Sequence, residues 1–119
     1  MKAYLKTHEW IEATNEESYE LGISKHAVEK LGDVVFIEKI ENKDIYEAGE
    51  TLLILESVKA VADVYAPFKC KVSKYNEDMI ENPESLNAAD ALVHISPLEE
   101  IRMSKYMDES SYLAALETT

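Results

Sequence analysis

No apolar stretch in this chain runs for more than a few residues before a charge or a turn former interrupts it, and turn signals recur every several residues. Short strands joined by frequent turns build an all-β sandwich or a flattened barrel. The clearest pair of strands is Leu52-Leu53-Ile54-Leu55 and Val61-Ala62-Asp63-Val64-Tyr65, branched and aromatic segments on either side of Glu56-Ser57-Val58-Lys59-Ala60. This arrangement predicts a hairpin with Lys59 near its tip. A lysine held there on a stiff scaffold is solvated and open to another protein from several directions, as a covalent attachment site requires. A lysine placed for solubility alone would look the same.

The rest of the chain fits the same scheme. Trp10-Ile11-Glu12-Ala13 and Ser18 to Ile23 alternate apolar and polar residues around a turn-like Asn15-Glu16-Glu17, which predicts an opening hairpin. Ser24 is placed to cap a short helix near residues 24–31, with Ile23 and Val28 as a hydrophobic staple and Leu31-Gly32 as its end. Asp33 to Glu38 is a nearly unbroken apolar run, read as a strand buried on both faces, with Phe36, and later Tyr65, in the core. Pro67 closes the Lys59 hairpin, Phe68 to Tyr75 forms a further strand, and Asn76-Glu77-Asp78 and Asn82-Pro83-Glu84 are polar breaks. Ala91-Leu92-Val93-His94-Ile95 is the last strand. Beyond Pro97 the pattern turns helical, with Leu98, Ile101, Tyr106, Tyr112, Leu113 and Leu116 facing inward and Asp108 as an N-cap. With no linker or repeat, residues 1–119 read as one domain, its core at about 8–96 and a helical C-terminal segment at about 98–117.

Charge narrows the function classes. Twenty-four acidic residues against twelve basic ones give a net charge of −12, which repels nucleic-acid backbones and anionic lipid surfaces. The same field favours a monomer and could steer the chain toward basic patches on partner proteins, or serve solubility only. The first residues carry neither a signal-peptide core nor an arginine-rich presequence, so the expected location is the cytoplasm, or an organelle matrix after presequence removal. One cysteine cannot form an internal disulfide. His8, His26 and His94 lack metal-ligand spacing, so no metal is expected. Gly22, Gly32 and Gly49 are too far apart for a phosphate loop, and Ser57 beside Glu56 is no nucleophilic triad, so no catalytic residue is assigned. His26 reads as a surface residue, and Trp10 as core or groove wall.

Glu56-Ser57-Val58-Lys59-Ala60, followed by Ala62-Asp63-Val64-Tyr65-Ala66-Pro67, resembles the lipoylation site of the glycine cleavage H-protein family. Biotin carriers flank their lysine with methionines, whereas Val58 and Ala60 stand here. The likeness extends through His8-Glu9-Trp10, Gly22-Ile23 with Ala27, Leu31-Gly32-Asp33-Val34-Val35-Phe36, Asn82-Pro83-Glu84 with Asn87, and Met107-Asp108-Glu109 with Tyr112.

The resemblance implies a mainly β, lipoyl/biotinyl carrier-type barrel-sandwich hybrid of two small antiparallel sheets. It implies lipoate, amide-linked to Lys59, with Glu56, Ser57, Val58, Ala60 and Asp63 read by a lipoate ligase or a lipoyl/octanoyl transferase. It implies a non-catalytic carrier whose arm, reaching roughly 14 Å from the lysine Cα by extended-chain geometry, takes an aminomethyl group from the pyridoxal-phosphate-dependent glycine decarboxylase. Aminomethyltransferase then receives the cargo, and dihydrolipoyl dehydrogenase restores the disulfide. Glu9, Trp10 and Lys30 are the implied arm groove, with Glu9 pairing the cargo's amine; as a bare residue Glu9 could equally be an exposed strand-end acid. Three departures stand out: Lys30 where many relatives carry histidine, Lys69-Cys70 where Ser-Gly is usual, and a shortened 87–92 loop. They keep open a second role, an H-like protein that relays lipoyl groups to other enzymes or serves redox regulation.

Overall fold

A computed structural model of the chain describes residues 1–15 and 17–117. Two antiparallel sheets enclose the core. The strands are β1 (Ala3–Tyr4), β2 (Glu9–Asn15), β3 (Ser18–Ile23), β4 (Val34–Lys39), β5 (Thr51–Ser57), β6 (Val61–Tyr65), β7 (Cys70–Tyr75) and β8 (Val93–Pro97). One sheet has the order β1-β2-β3-β8-β7 and the other β4-β5-β6. Helices α1 (Lys25–Leu31), α2 (Glu77–Glu81) and α3 (Glu109–Glu117) and short 3₁₀ turns at Pro83–Ser85 and Met103–Lys105 lie around them.

Both hairpins form where the alternation places them. Trp10 pairs with Gly22 and Ile11 with Leu21; Leu55 pairs with Ala62 and Glu56 with Val61. The turn after Asn15 contains Glu16, which lies outside the described residues. The Ser24 hydroxyl accepts from the Ala27 amide and caps α1, and Gly32, at φ 74°, ends it by donating its N–H to the Val28 carbonyl. Ile11, Leu21, Leu52, Leu53, Leu55, Val64, Leu92 and Ile95 fill the space between the sheets.

Several expectations fail. Strand β4 is not buried on both faces: Val34 and Ile37 point inward, while Val35 and Phe36 are exposed. A bulge between Val34 and Phe36 shifts the register, and Phe36 ends on the outer face beside Glu56 and Val61. Tyr65 is only half-buried. The polar breaks after Tyr75 contain α2, whose first turn is closed by the Asn76 side chain accepting from Met79 N–H. Among the described residues between Pro97 and α3 the only helical piece is the 3₁₀ turn at Met103–Lys105, and Leu98 and Leu113 face solvent. Asp108 does cap α3, its carboxylate accepting from the Ser111 amide at 2.8 Å. The core also reaches past 8–96. Tyr4, Trp10, Ala91 and Tyr112 form a second buried cluster that ties both ends of the chain together, with Tyr4 and Tyr112 rings stacked at 4.6 Å.

Candidate functional site

The β5–β6 turn is held by one hydroxyl. Ser57 Oγ accepts from the amides of Lys59 (3.3 Å) and Ala60 (3.0 Å) and donates to the Ala60 carbonyl, while the Ser57 amide closes on the same carbonyl at 2.8 Å. A further bond, from Val58 N–H to the Asp33 carbonyl at 3.3 Å, ties the turn to the loop after α1. Lys59 is exposed at the tip and Val58 beside it is 74% exposed. The lysine leans over Gly32: a Cβ there would stand 3.2 Å from Lys59 Cε. Glu56, Phe36 and Val61 are cross-strand neighbours on the outer face beside it.

Next to the hairpin a cavity of about 320 Å³ opens between α1 and β6. Ala27, Lys30 and Leu31 form one wall, and Ala60 to Val64 the other. Glu9 lines it as a fully buried carboxylate, not an exposed strand-end acid. Its Oε2 accepts from the Tyr65 amide at 2.8 Å and its Oε1 accepts from the Thr7 hydroxyl. Burial pushes its carboxyl above the ordinary glutamate range, against the pull of those two bonds. Asp63 sits on the opposite wall, its Oδ2 accepting from Thr51 Oγ1 at 2.9 Å. Lys30 is on the α1 wall, so one cavity holds two acids and a cation.

Trp10 does not belong to this cavity. Its side chain lies in the second core cluster, flat against Gly22, and its Nε1 donates to the Ala88 carbonyl at 2.9 Å. Residues on a strand alternate faces, so Glu9 and Trp10 cannot both line one groove.

The sequence reading missed Thr7, His8 and His26, which complete the cavity wall. His8 has φ 78°, unusual for a residue with a side chain, and its ring lies 4.8 Å from that of His26. Its Nδ1 is 2.6 Å from Tyr112 Oη, which is 2.7 Å from Ser24 Oγ. Burial, then His26 and Lys30, lower the His8 pKa, so the imidazole is neutral at pH 7 and Nδ1 can accept from Tyr112. Ser24 donates to Tyr112 and accepts from Ala27 N–H, and the chain of bonds closes from α1 through α3 to the groove. The pairing of His8 with Tyr112 spans 104 positions, beyond the reach of any local pattern. Among the described residues, no group of three or more His, Cys, Asp or Glu could hold a metal ion. Cys70 is buried, its thiol pushed up to about 12 by burial, as suits a small apolar residue.

This architecture, a lysine on a turn beside a groove with a buried acid, matches one profile along nearly its whole length. The glycine cleavage H-protein family covers residues 2–119. The chain belongs to that family. Glycine cleavage system H proteins of Shewanella baltica and Shewanella woodyi are 36% and 38% identical to it, each over 96% of this chain and 92% of the relative. That of Vibrio atlanticus is 33% identical over 96% of the chain and 94% of the relative. The crystal structure of a glycine cleavage system H protein from Mycobacterium marinum superposes with a TM-score of 0.83 at 28% identity, over 98% of this chain and 96% of that one. The two sheets described above are thus the barrel-sandwich of H proteins. Membership makes the chain a carrier component of glycine cleavage. No described helix is long and apolar enough to cross a membrane.

Proposed function

We propose that the chain, acting as a single unit over residues 1–119, is the lipoylated carrier of the glycine cleavage system, with lipoate joined to Lys59. The observation that carries this is an exposed lysine on a hydrogen-bonded turn, its side chain resting over Gly32, on a hairpin whose second strand walls a groove containing a buried carboxylate. The residues fit the group. Gly32 leaves open the space a Cβ would fill beneath Lys59 Cε, and the apolar wall from Leu31, Leu55, Ala60 and Val64 suits an alkyl arm. When bound, lipoate supplies a disulfide that opens to accept an aminomethyl cargo and is restored by oxidation.

Each protein residue then has a defined task. Ser57 fixes the turn that Glu56, Val58, Ala60 and Asp63 present to a lipoate ligase or a lipoyl/octanoyl transferase. Glu9, already held by Tyr65 and Thr7, pairs with the cationic end of the cargo. A cation there restores the ionised carboxylate that burial disfavours, so occupation and ionisation reinforce one another. Groove closure by His8 and His26 limits water near an amine prone to hydrolytic loss. Glycine decarboxylase, aminomethyltransferase and dihydrolipoyl dehydrogenase are the partners, and the chain supplies no catalytic residue of its own.

The test is glycine–carbon dioxide exchange by glycine decarboxylase. Stimulation by the lipoylated chain, lost in Lys59→Arg, supports the reading; a lipoylated chain that gives no stimulation contradicts it. Lys30 favours a second reading, in which the chain relays lipoyl groups or serves redox regulation, because a groove cation opposes a cationic cargo. Transfer of the lipoyl group from this chain to another carrier domain, with no exchange activity, would select that reading.

A further inference from the structure

Phe36 stands on the outside of the smaller sheet, 49% exposed, although it belongs to an apolar run. The register shows what surrounds it. Across β4, β5 and β6 the outer face has two ladder rows: Phe36, Glu56 and Val61 nearest the hairpin tip, and Glu38, Ile54 and Asp63 behind them. Apolar and acidic residues alternate in both directions, so Ile54 is a diagonal neighbour of both Phe36 and Val61, within reach of large side chains. Ile54 is half-buried and the other five are exposed.

Apolar residues exposed singly are ordinary, but a group of them in one place marks a surface that is covered in use. Val58, also exposed, extends this group to the turn. The bulge between Val34 and Phe36 is what turns the ring to this face, and bulges re-aim side chains at the expense of ladder pairing. The acids between the apolar residues are open to a partner as well: among the described residues, neither Glu38 nor Glu56 forms an ion pair.

Position decides what covers this face. Glu56 is separated from Lys59 by at most about 11 Å of chain, and the lysine side chain rests over Gly32, in the loop that leads into β4. An enzyme acting on a finished arm meets its far end, roughly 14 Å from the lysine Cα, and can stand off from the sheet. The enzyme that makes the arm has no such freedom. It must bring an activated carboxyl carbon to Nζ itself, where the amide C–N bond forms, the activating group (AMP, for a lipoyl adenylate) leaves with the electron pair of its broken bond, and the surplus protons of the ammonium pass to solvent.

We infer that the Phe36, Ile54 and Val61 face of the smaller sheet is the docking surface for the enzyme that acylates Lys59, a partner presenting an apolar patch bordered by basic residues to match Glu38, Glu56 and Asp63. The inference rests on reading Lys59 as the lipoyl-lysine. Phe36 is the anchor: it is the largest side chain on the face and, unlike Val61 and Asp63, borders no part of the Glu9 groove. Recognition of the bare lysine and use of the loaded arm are then separate properties of the chain, one carried by the sheet face and the other by the groove.

The experiment compares Phe36→Ser and Phe36→Leu with the parent in initial rates of lipoylation by lipoate, ATP and a lipoate ligase, read by intact mass at increasing chain concentration. Phe36→Ser should raise KM about tenfold with kcat little changed, and Phe36→Leu, which keeps an apolar side chain, should stay near the parent. Once driven to full lipoylation with excess ligase, Phe36→Ser should stimulate glycine–carbon dioxide exchange by glycine decarboxylase at the parent's half-maximal concentration. An unchanged KM would overturn the inference. So would an equal loss in the exchange assay, which would give the face to the decarboxylase, or sedimentation of the parent as a dimer that Phe36→Ser disperses, which would give it to a second copy. Each of these leaves the carrier reading standing, whereas a parent chain that never gains mass would overturn both.

Discussion

At the scale of single residues, Glu9 shows how position outranks residue type. The same acid at a strand end could sit in water; here the Tyr65 amide and the Thr7 hydroxyl hold it in a groove. Its raised carboxyl pKa means that the native state binds a proton more tightly than the unfolded chain, so its contribution to stability declines as pH rises from the ordinary glutamate range through the raised native value. Glu9→Gln removes that dependence. Its Tm relative to the parent should be most favourable at neutral pH, and the advantage should shrink as pH falls toward the ordinary carboxylate range, while cargo is released faster; a pH-independent difference in thermal unfolding would contradict the assignment. Gly22 is governed by sterics instead. A Cβ there would stand 2.5 Å from Trp10 Cζ2, so Gly22→Ala overpacks the second cluster and should cost about 3 kcal/mol in denaturant unfolding. The exposed place of Lys59 on a turn was legible because the flanking strands are local, whereas Glu9 was read toward the groove only through the family resemblance, an exposed strand-end acid being the equal alternative. His8 and Tyr112 were not legible, since their bond joins residues 104 positions apart.

Elements were legible in proportion to how local their causes are. The Lys59 hairpin and α1 follow from strand alternation, the Ser24 cap and the Gly32 stop, all contained within a few residues. The hairpin tip depends on Ser57, whose hydroxyl serves two amides and a carbonyl. Ser57→Ala should destabilise the chain by about 1–2 kcal/mol, speed amide exchange at Ala60, and slow lipoyl transfer to Lys59; unchanged exchange would show that the backbone alone sets the turn. Strand β4 was misread because apolar content was taken as burial. A bulge at Val34 and Phe36 turns two of its apolar residues outward, and run length carries no sign of a bulge. The part of the C-terminal segment between Pro97 and α3 was misread as helix for a related reason. Apolar spacing there reflects docking of an irregular strap, in which Tyr4 and Met107 exchange backbone bonds and Tyr106 donates to the Pro67 carbonyl.

For the whole molecule, the two sheets set the site by where their edges meet. Strand β2 of the larger sheet brings Glu9, edge strand β6 of the smaller brings Asp63, and α1 closes the space between them. That meeting of sheets could be anticipated only through family resemblance, because register within a hairpin says nothing about how two hairpins face each other. A net charge of −12 surrounds the assembled site. If partners dock through basic surfaces, association should be steered at long range and screened at about 0.1 M salt, where the Debye length is near 10 Å. The concentration of lipoylated chain giving half-maximal exchange should then rise with ionic strength; a flat response would assign the acidity to solubility. The central claim concerns Lys59 itself. Intact mass after incubation with lipoate, ATP and a lipoate ligase tests it most directly: the native chain should gain one lipoyl group and Lys59→Arg none, whereas an unmodified native chain, or a modified Lys59→Arg, would contradict the account.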